Sequence, residues 1–507
     1  MLAQPRGASV SGSPPFDAIL DVTTIKMSMQ TRSIFNLGHP PMELGNPGQG
    51  FYFIAEALSG VLSVPGSVEQ PISLFFGLPY QLPIDKDQPP RVLACAWAYD
   101  EFPPACNRAP ISDWRRGLET CCGALVFSQQ AAGAIRRLMG DDYPVQVLPA
   151  QPAERFAGLC ADHGELPHKR PRMLMFRGHL LDSPRIGLSV DGLARLEPQL
   201  ERQFEAQPES EQPVAPPAAP GVIERLRISG QLVFNWWHEA VVAYVFSEAP
   251  QPAATAPEVA PSEHPQPSLI EPAATPPEQR LKLFGTVYTC ILRAEDERCR
   301  WMELLTAFCW TFRDEPNATL VLKFTHHKET SGLMPLLTTL SRLSPFRCRV
   351  VAINAFLETQ DYAALIATSD YLVTPHEAEA SALTAQEFLS AGRPVIGPVH
   401  GALADWLTAE NAFLVSGDIQ PAYWNGDIDK KLHHQSLRLN WTSLCQALAD
   451  SFRMAQQAPE CYRAKSRAAR TGMLMQASHE RISEVVRTFL SKAVPVPTGA
   501  DVAQAVS

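Results

Sequence analysis

Two glutamates, Glu379 and Glu387, lie eight positions apart in the C-terminal part of the chain. An ionised carboxylate can accept two hydrogen bonds from a pair of hydroxyl groups, and it can also stabilise a developing positive charge. Two acids at this spacing are common on solvated helix faces, so the spacing alone defines no site. The surrounding sequence has to show whether both carboxylates are held at a place where a ligand can bind.

The residues around the two glutamates predict a strand, a loop, a helix and a second strand in that order. An apolar run ends at Val373, a polar loop carries Glu379, and Glu387 is expected to open an amphipathic helix. Gly392 is placed to cap the end of this helix, and Pro394 cannot continue it. Both carboxylates should therefore lie at one edge of a parallel sheet, where open α/β folds bind ligands.

This segment resembles the Glu-x7-Glu signature of retaining, family-4 type glycosyltransferases with the GT-B fold. Thr374-Pro375 stands in place of the usual Pro-Ser pair, and five further positions fall in register: Leu383, Gly392, Pro394, Val395 and Ile396. The resemblance covers roughly residues 285–490 and, less closely, residues 85–150. It implies an α/β protein with two Rossmann-like, doubly wound domains facing a cleft, and an activity that moves a sugar from a nucleotide-sugar donor with retention.

The resemblance also implies a donor site around the two glutamates. Glu387 would bind the ribose hydroxyls, and Glu379 would approach the sugar ring or its phosphates. The family carries glycines where this chain has Ala380 and Ala382, and an alanine adds a Cβ and disfavours positive φ. The predicted donor-binding loop consists of these two alanines together with Ser381 and Leu383.

A second stretch, which follows the first strand of the C-terminal half, resembles the cationic loop of the same family. Arg298 and Trp301 align with family residues, whereas Glu297 and Cys299 replace a glycine and a lysine. Arg300 could supply the missing charge, although a planar guanidinium is not equivalent to a lysine ammonium. The resemblance thus implies that Arg298 and Arg300 bind the donor phosphates.

A plainer interpretation of the two arginines stays open, namely that they are exposed loop charges paired with Glu295 and Glu297. Lys323 is a further donor-site candidate, because a lysine in an apolar strand is costly to bury and should point out at the ligand edge. The pair His326-His327 lacks the spacing of a metal site, so we expect neither a metal nor a cofactor.

The N-terminal half resembles the acceptor-side domain of these enzymes in the stretch 96–103. Asp100 is retained there, while Ala98 replaces a glutamate. Asp100 is the second candidate catalytic residue beside Glu379, because its carboxylate could contact the acceptor hydroxyl or the developing charge on the donor sugar. A loop or helix-capping role for this acid is equally open. Further acceptor-side candidates are Glu101, His39 and Gln49.

Hydrophobic periodicity predicts alternating strands and helices in both halves, which indicates parallel sheets with crossover helices. In the first half we expect strands at 18–22, 91–97, 123–127 and 145–148 and helices at 50–58, 112–121 and 128–138. In the second half we expect five strands, the first four at 285–292, 318–324, 348–353 and 370–373, and helices at 301–312, 332–343 and 361–369. The segment 441–490 should be helical and, by the resemblance, cross back to brace the first domain.

Length and composition predict two domains with additional unfolded material. The chain has 507 residues, 45% hydrophobic residues and 46 prolines, about twice the usual share of proline. Prolines are concentrated in a segment that cannot bury enough apolar area to fold, apart from an apolar island at 221–246. The expected organisation is a disordered leader (1–15), an acceptor-side domain (16–206), a Pro/Ala-rich insert (207–280), a nucleotide-sugar-binding domain (281–440), C-terminal helices (441–492) and a disordered tail (493–507).

Charge and cysteine usage narrow the class of protein. A net charge of −10 argues against a general nucleic-acid binder. Eleven cysteines without a CxxC pair are typical of reduced thiols in the cytoplasm. No segment has the length of an apolar transmembrane helix, and the first 15 residues lack the apolar core of a signal peptide. We therefore expect a cytoplasmic protein, which could also associate peripherally with the inner face of the membrane.

The sequence thus predicts a metal-independent glycosyltransferase of the hexosyltransferase type, acting on a polysaccharide or glycolipid precursor. Its partners would be a nucleotide sugar and a glycan or lipid-linked glycan acceptor, and a protein partner could bind the proline-rich insert. The alternative is a non-catalytic glycosyltransferase-like binding or scaffold subunit. The replacements at Glu297, Cys299, Ala380 and Ala382 favour that alternative, whereas the intact pair of carboxylates opposes it.

Overall fold

The computed structural model describes two parallel sheets with their helices and a set of C-terminal helices. The described residues are 33–36, 49–62, 72–82, 90–102, 114–160, 171–188, 277–325, 332–424 and 434–493. The expected leader, the strand at 18–22, the apolar island at 221–246 and nearly all of the proline-rich insert and of the C-terminal tail lie outside these residues.

The first sheet contains five strands, and each pairs in parallel with its neighbour. They lie side by side in chain order, so the described residues contain no reversal of strand order in this sheet. The predicted strands at 91–97, 123–127 and 145–148 and the three predicted helices are confirmed. The elements are β1 (Ser33–Asn36), α1 (Gln49–Leu62), β2 (Ile72–Phe76), β3 (Arg91–Cys95), α2 (Trp114–Glu119), β4 (Gly123–Val126), α3 (Gln129–Met139) and β5 (Val145–Val147).

Local sequence signals account for these elements. Strands β2, β3 and β4 are buried along their whole length, because they are near-continuous apolar runs covered by helices on both faces. Helix α3 begins after Ser128, whose Oγ accepts a hydrogen bond from the N–H of Ala131 at 3.1 Å. Side chains alternate along β2, so Leu74 and Phe76 enter one core and Phe75 enters the other.

The second sheet has seven strands in the order β14-β13-β12-β9-β10-β11-β7, of which all but β7 (His179–Asp182) are parallel. The chain runs from β9 through β10 to β11 on one side, and then returns to the other side with β12, β13 and β14. This is a doubly wound sheet whose strand order reverses between β9 and β12. The parallel strands are β9 (Thr286–Leu292), β10 (Ala318–Phe324), β11 (Arg349–Asn354), β12 (Tyr371–Val373), β13 (Val395–Pro398) and β14 (Ala412–Val415).

Three of the helices that connect these strands match the predicted ones, and the expected α/β class with two Rossmann-like units is confirmed. Gly392 lies just past the C-terminal end of the helix Leu383–Ser390, as predicted. Its φ is +67°, a conformation that glycine adopts without strain. The connecting helices are α5 (Trp301–Thr311), α6 (Leu333–Leu343), α7 (Thr359–Thr368) and α8 (Leu383–Ser390), and the short helix α4 (Glu154–Ala157) precedes the second sheet.

The expected extent of the first domain, to residue 206, requires a correction. Strand β7 (His179–Asp182) pairs antiparallel with β11, at the edge of the second sheet. Two hydrogen bonds of 2.9 and 2.8 Å join the guanidinium of Arg349 to the carboxylate of Asp182, and both side chains are buried. Strand β6 (Arg172–Arg177) likewise pairs with β8 (Glu278–Leu283), on the far side of the insert in sequence. A buried ion pair and long-range strand pairing decide this boundary.

Two further elements follow β14. Strands β15 (Gly417–Ala422) and β16 (His434–Leu439) form an antiparallel pair that the sequence patterns did not predict. Three helices come next, as predicted: α9 (Trp441–Gln457), α10 (Pro459–Gln476) and α11 (His479–Ala493). None of the helices within the described part of the chain is long and apolar enough to span a bilayer.

The last helix braces the first sheet, as the resemblance implied. Ile482, Val486 and Phe489 of α11 belong to the same buried cluster as Ile54 and Leu58 of α1. A single apolar stripe along α11 therefore closes the core on one face of the first sheet.

Replacing Phe489 with alanine should lower the free energy of unfolding by roughly 3–5 kcal/mol, because it removes a buried aromatic ring and leaves a cavity in this core. The matched control is Thr488→Ala, on the exposed face of the same helix, which should change stability by less than about 0.5 kcal/mol. Chemical denaturation of both variants measures the difference. Equal stabilities would show that α11 is not part of the core.

Candidate active site

A cleft of about 680 Å³ lies at the carboxyl ends of the strands, where the strand order of the second sheet reverses. One wall is formed by the loops after β9 and β12. The opposite wall comes from the first α/β unit, through the N-terminal part of α1 and the loop after β3, and the β15–β16 pair contributes a third side. Open α/β sheets bind ligands in such a crevice.

The loops after β9 and β12 are tied together by their main chains. Cys299 and His376 form an isolated antiparallel bridge. Beside it, the N–H of Arg300 donates a hydrogen bond to the carbonyl of Pro375 at 3.0 Å. This tie places the charged residues of both loops on one wall of the cleft.

Arg298 lines the cleft, and its guanidinium is held by Asp296. Nε donates to one carboxylate oxygen at 2.9 Å, and Nη2 donates to the other at 2.7 Å. Burial alone would raise the pKa of Asp296, but the hydrogen bonds and charge of Arg298 lower it to about 2. The second interpretation of the sequence expected these arginines to pair with Glu295 and Glu297. The partner of Arg298 is Asp296, a bidentate acceptor that reaches it from two residues away.

Arg300 also lines the cleft, and its partner comes from the loop after β12. Its Nη2 lies 2.7 Å from Oε2 of Glu377, a carboxylate that is almost fully buried. The side-chain amide of Gln420 on β15 donates to the same oxygen at 3.4 Å. Both arginines that the sequence analysis selected thus lie in the wall of the cleft, and each is bound to a carboxylate.

Sequence reasoning missed a third arginine of this wall. Arg293 directly follows β9 and lines the cleft. Within the described ranges, no carboxylate forms an ion pair with it and no group forms a hydrogen bond with its side chain. Its position at the carboxyl end of the first strand of a doubly wound sheet was the signal that could have identified it.

Glu379 lies in the cleft as expected. Its Oε1 accepts hydrogen bonds from the main-chain N–H groups of Ala380, Ser381 and Ala382 at 3.1, 3.4 and 3.3 Å. These N–H groups precede α8, so the carboxylate occupies the electropositive end of that helix. The resemblance placed a ligand's phosphates near the same main-chain segment.

His376 lies behind Glu379, with Nδ1 4.0 Å from Oε2 of that carboxylate. Burial alone would lower the pKa of His376, but contact with Cys299 and the nearby carboxylates of Glu379 and Asp296 raise it to about 9. A protonated imidazole therefore lies directly behind this wall of the cleft. His326 and His327 lie outside the described residues, and those described include no group of three potential metal ligands.

The replacement of glycine by alanine in the donor loop has the expected conformational consequence at one position. Ala382 has φ +52°, and it is the one non-glycine residue with positive φ in the described part of the chain. This left-handed conformation costs an L-residue roughly 1–2 kcal/mol. Ala380 and Ser381 line the cleft, whereas Leu383 begins α8 and packs against the core of the first sheet.

The placement of Glu387 differs from the expectation. Helix α8 begins at Leu383, so Glu387 lies one turn inside it and does not open it. Its carboxylate is 5% exposed, is not part of the cleft lining, and accepts a hydrogen bond of 2.5 Å from the hydroxyl of Tyr362 on α7. Because the chain enters the helix four residues earlier than expected, this side chain faces α7 instead of the sheet edge.

The placement of Lys323 also requires a correction. We expected this lysine to point out at the ligand edge, but it is 6% exposed and does not line the cleft. Its Nζ donates to the carbonyl of Thr325 at 3.3 Å. Strand β10 lies in the middle of the sheet, where helices cover one face and the β6–β8 pair packs on the other, so neither side of the strand is open to a ligand.

The acceptor-side acids lie close to the cleft without lining it. Oδ1 of Asp100 accepts a hydrogen bond from the N–H of Gln435 on β16 at 3.2 Å, and its carbonyl accepts one from Arg137. Glu101 is exposed, and its carbonyl accepts a hydrogen bond from the indole of Trp97 at 2.9 Å. Gln49 is the first residue of α1, and His39 lies outside the described residues.

The β15–β16 pair joins the two halves of the cleft through aromatic contacts. His434 stacks on Tyr99 with ring centroids 4.7 Å apart, and Trp424 packs edge-on against Trp97 at 5.5 Å. Tyr99 and Trp97 follow β3 of the first sheet, whereas the β15–β16 pair follows β14 of the second. Such aromatic pairs stabilise beyond the area they bury, so they hold this side of the cleft in place.

No family model matches this chain, and no curated protein sequence matches it either. Solved structures are similar to it at low identity. The Anabaena protein HepE in complex with UDP and glucose has 11% identity and a TM-score of 0.42, covering 90% of this chain and 84% of that one. Sucrose-phosphate synthase from Thermosynechococcus elongatus has 12% identity and a TM-score of 0.45, covering 93% and 86%. A glycosyltransferase from Rickettsia africae has 9% identity and a TM-score of 0.44, covering 90% and 85%.

The buried carboxylate of Glu387 should make stability depend on pH. Burial raises its pKa from the ordinary 4.5 to about 7, against the hydrogen bond from Tyr362 and the charge of Arg155, while Glu56 adds to the increase. The folded state then keeps a proton that the unfolded chain releases. The contribution to stability is fully present below pH 4.5, is lost as pH rises to about 7, and amounts to about 3 kcal/mol.

Glu387→Gln keeps an acceptor for Tyr362 and cannot ionise, so it should remove this part of the pH dependence. Denaturant unfolding at pH 4.5 and pH 8 should show the variant gaining stability over the unsubstituted protein at the higher pH. The control is Glu358→Gln, which changes an exposed glutamate immediately before α7. If the difference between Glu387→Gln and the unsubstituted protein is the same at both pH values, Glu387 is not buried as described.

Proposed function

We propose that this protein is a glycosyltransferase that moves a hexosyl group from a nucleotide sugar to a glycan or lipid-linked glycan, with retention and without a metal or cofactor. The observation that carries the proposal is the convergence of Arg293, Arg298, Arg300 and Glu379 on one cleft at the switch point of the second sheet. These are the residue types that a leaving diphosphate and a reacting sugar require.

The size of the cleft supports a nucleotide-sized ligand. Pockets for small ligands and cofactors enclose about 300–1,000 Å³, and this cleft encloses about 680 Å³. The second sheet presents its switch point at one side of the cleft, which is where doubly wound sheets bind nucleotides. The other side would then receive the acceptor.

The arginines support the binding of a diphosphate. Departure of a nucleoside diphosphate transfers negative charge to its terminal oxygens, and guanidinium groups stabilise that charge with paired hydrogen bonds. Arg293 is available without breaking an ion pair among the described residues. Arg298 and Arg300 would have to exchange their carboxylate partners for phosphate oxygens.

Glu379 is the candidate for the reacting sugar. Its carboxylate could accept hydrogen bonds from sugar hydroxyls and stabilise positive charge on the ring. To do so it would leave the main-chain N–H groups before α8, which would then be free to bind a phosphate oxygen. Asp100 does not line the cleft, so the geometry supports a catalytic role for Glu379 more directly.

A second candidate function is that of a non-catalytic subunit that binds nucleotide sugars. Three observations favour it: Glu387 is packed against Tyr362, Ala382 holds a left-handed conformation, and Arg298 and Arg300 are already bound to carboxylates. Incubation with a bound nucleotide sugar separates the two functions. Release of free sugar or transfer to an acceptor supports the enzyme, whereas binding without either supports the subunit.

The setting of the activity is part of the proposal. We propose that the protein works in the cytoplasm, with access to acceptors at the inner face of the membrane, and that the proline-rich insert binds a protein partner. Nine cysteines whose side chains the structure describes are free thiols, which supports the cytoplasmic setting.

Titration calorimetry with uridine, guanosine and adenosine diphosphate sugars tests the donor site. One nucleotide sugar should bind, and Arg293→Gln should weaken it at least about tenfold, because a charge-assisted hydrogen bond contributes about 1.5–3 kcal/mol. Arg280→Gln, on the exposed face of β8, is the matched control and should leave the affinity unchanged.

Turnover of the same nucleotide sugar tests the assigned carboxylate. Glu379→Gln should bind the donor and lower the rate about 100-fold or more, because it keeps the size of the side chain and removes the charge. Failure of every nucleotide sugar to bind the unsubstituted protein would contradict the proposed function. Unchanged turnover in Glu379→Gln would contradict the role of that residue alone.

A further inference from the structure

The charged wall of the cleft contains more acids than bases. Three arginines line it, together with five carboxylates: Glu295, Asp296, Glu297, Glu377 and Glu379. A diphosphate is negatively charged, and so are the carboxylates that it would have to approach. Which of these acids bind an arginine directly therefore decides how well the cleft can hold an anion.

Glu377 differs from the other acids in how firmly it is held. Its N–H donates to the carbonyl of Arg298 at 2.9 Å, and its own carbonyl accepts a hydrogen bond from the N–H of Leu437 on β16 at 2.9 Å. The side chain is 6% exposed and reaches Arg300 at 2.7 Å. A carboxylate anchored on both sides of its main chain cannot move far from this arginine.

The guanidinium of Arg300 is only partly used. Its Nη2 binds Glu377, whereas its Nε is buried and has no acceptor among the described residues. A guanidinium presents its donors as a rigid fork that matches two oxygens of one phosphate. An anion that binds the Nε–Nη2 edge of Arg300 would therefore compete with the carboxylate for Nη2.

We infer that Glu377 is a specificity-determining residue of the cleft, whose carboxylate competes with a nucleoside diphosphate for Arg300. This rests on the proposed function, because it assigns a diphosphate to the same wall. Glu377 stands in for a phosphate when the cleft is empty and returns to Arg300 when the diphosphate leaves. The competition lowers the affinity for a free diphosphate and favours its release after transfer.

Asp296 acts in the same way at Arg298, with a bidentate contact in place of a single one. The two pairs together leave Arg293 as the arginine of this wall without a competing carboxylate in the described part of the chain. The site is thereby built to bind a diphosphate that brings additional contacts, such as a sugar and a nucleoside, in preference to inorganic pyrophosphate.

Titration calorimetry of the full chain with uridine, guanosine and adenosine diphosphates and with inorganic pyrophosphate tests the inference. Glu377→Gln keeps the size of the side chain and removes its charge, so the best diphosphate should bind about 5–20 times more tightly. Pyrophosphate should gain by at least the same factor. Glu303→Gln is the matched control, because it removes one negative charge near Arg300 at an exposed side chain of α5 that does not line the cleft. It should change the affinity less than about twofold.

The double variant Arg300→Gln with Glu377→Gln identifies the arginine involved. The gain seen in Glu377→Gln should disappear when Arg300 is also replaced, whereas combination with Arg280→Gln should preserve it. Circular dichroism and thermal unfolding establish that each variant is folded. Should Glu377→Gln fail to fold, Asp296→Asn provides the same measurement at Arg298.

The outcomes separate this inference from the proposed function. Equal or weaker diphosphate binding by a folded Glu377→Gln, or an equal gain in Glu303→Gln, overturns the competition while donor turnover by the unsubstituted protein still supports the enzyme. Absence of nucleoside diphosphate binding in every variant overturns both. Binding that is measurable only after Glu377→Gln supports the competition.

Discussion

The main-chain tie between the loops after β9 and β12 is the constraint on which the candidate site depends. The bridge between Cys299 and His376 joins the two loops at the point where the strand order reverses. Without it, the arginines of one loop and the carboxylates of the other would lie on independent segments. With it, Arg300 and Glu377 face each other across the tie, and the electrostatics of the whole wall follow from that distance of 2.7 Å.

The same wall shows why residue type alone does not describe a binding site. An arginine with a carboxylate already bound to it presents little net charge to a ligand, whereas an arginine without a partner presents all of it. Arg298 and Arg300 belong to the first kind and Arg293 belongs to the second, within the part of the chain that the structure describes. On the proposed function, a site of this composition would bind an anion by exchanging partners, so its affinity would depend on the carboxylates as much as on the arginines.

The remaining contacts fix how the two α/β units face each other. Helix α11 closes the core of the first sheet, and the β15–β16 pair reaches the loop after β3 through Trp424 and His434. Both elements follow β14 in the sequence and pack against the first α/β unit. Segments of both α/β units and of the β15–β16 pair therefore line the cleft.

Local interactions determined much of what the sequence by itself predicts. Strands β9 to β13 and their helices follow from apolar runs, helical periodicity and end signals such as Ser128 and Gly392, each of which acts within a few residues. The α/β class and the place of Glu379 at a sheet edge follow from the same local order.

The tertiary structure alone decided which way side chains point and which distant segments meet. Glu387 faces Tyr362 because α8 begins at Leu383, which places this glutamate inside the helix and against α7. Strand β7 joins the second sheet because Asp182 meets Arg349 from a remote part of the chain. Lys323 is buried because its strand lies in the middle of the sheet. Local periodicity carries no information about such long-range contacts, and they determine which charges the cleft presents.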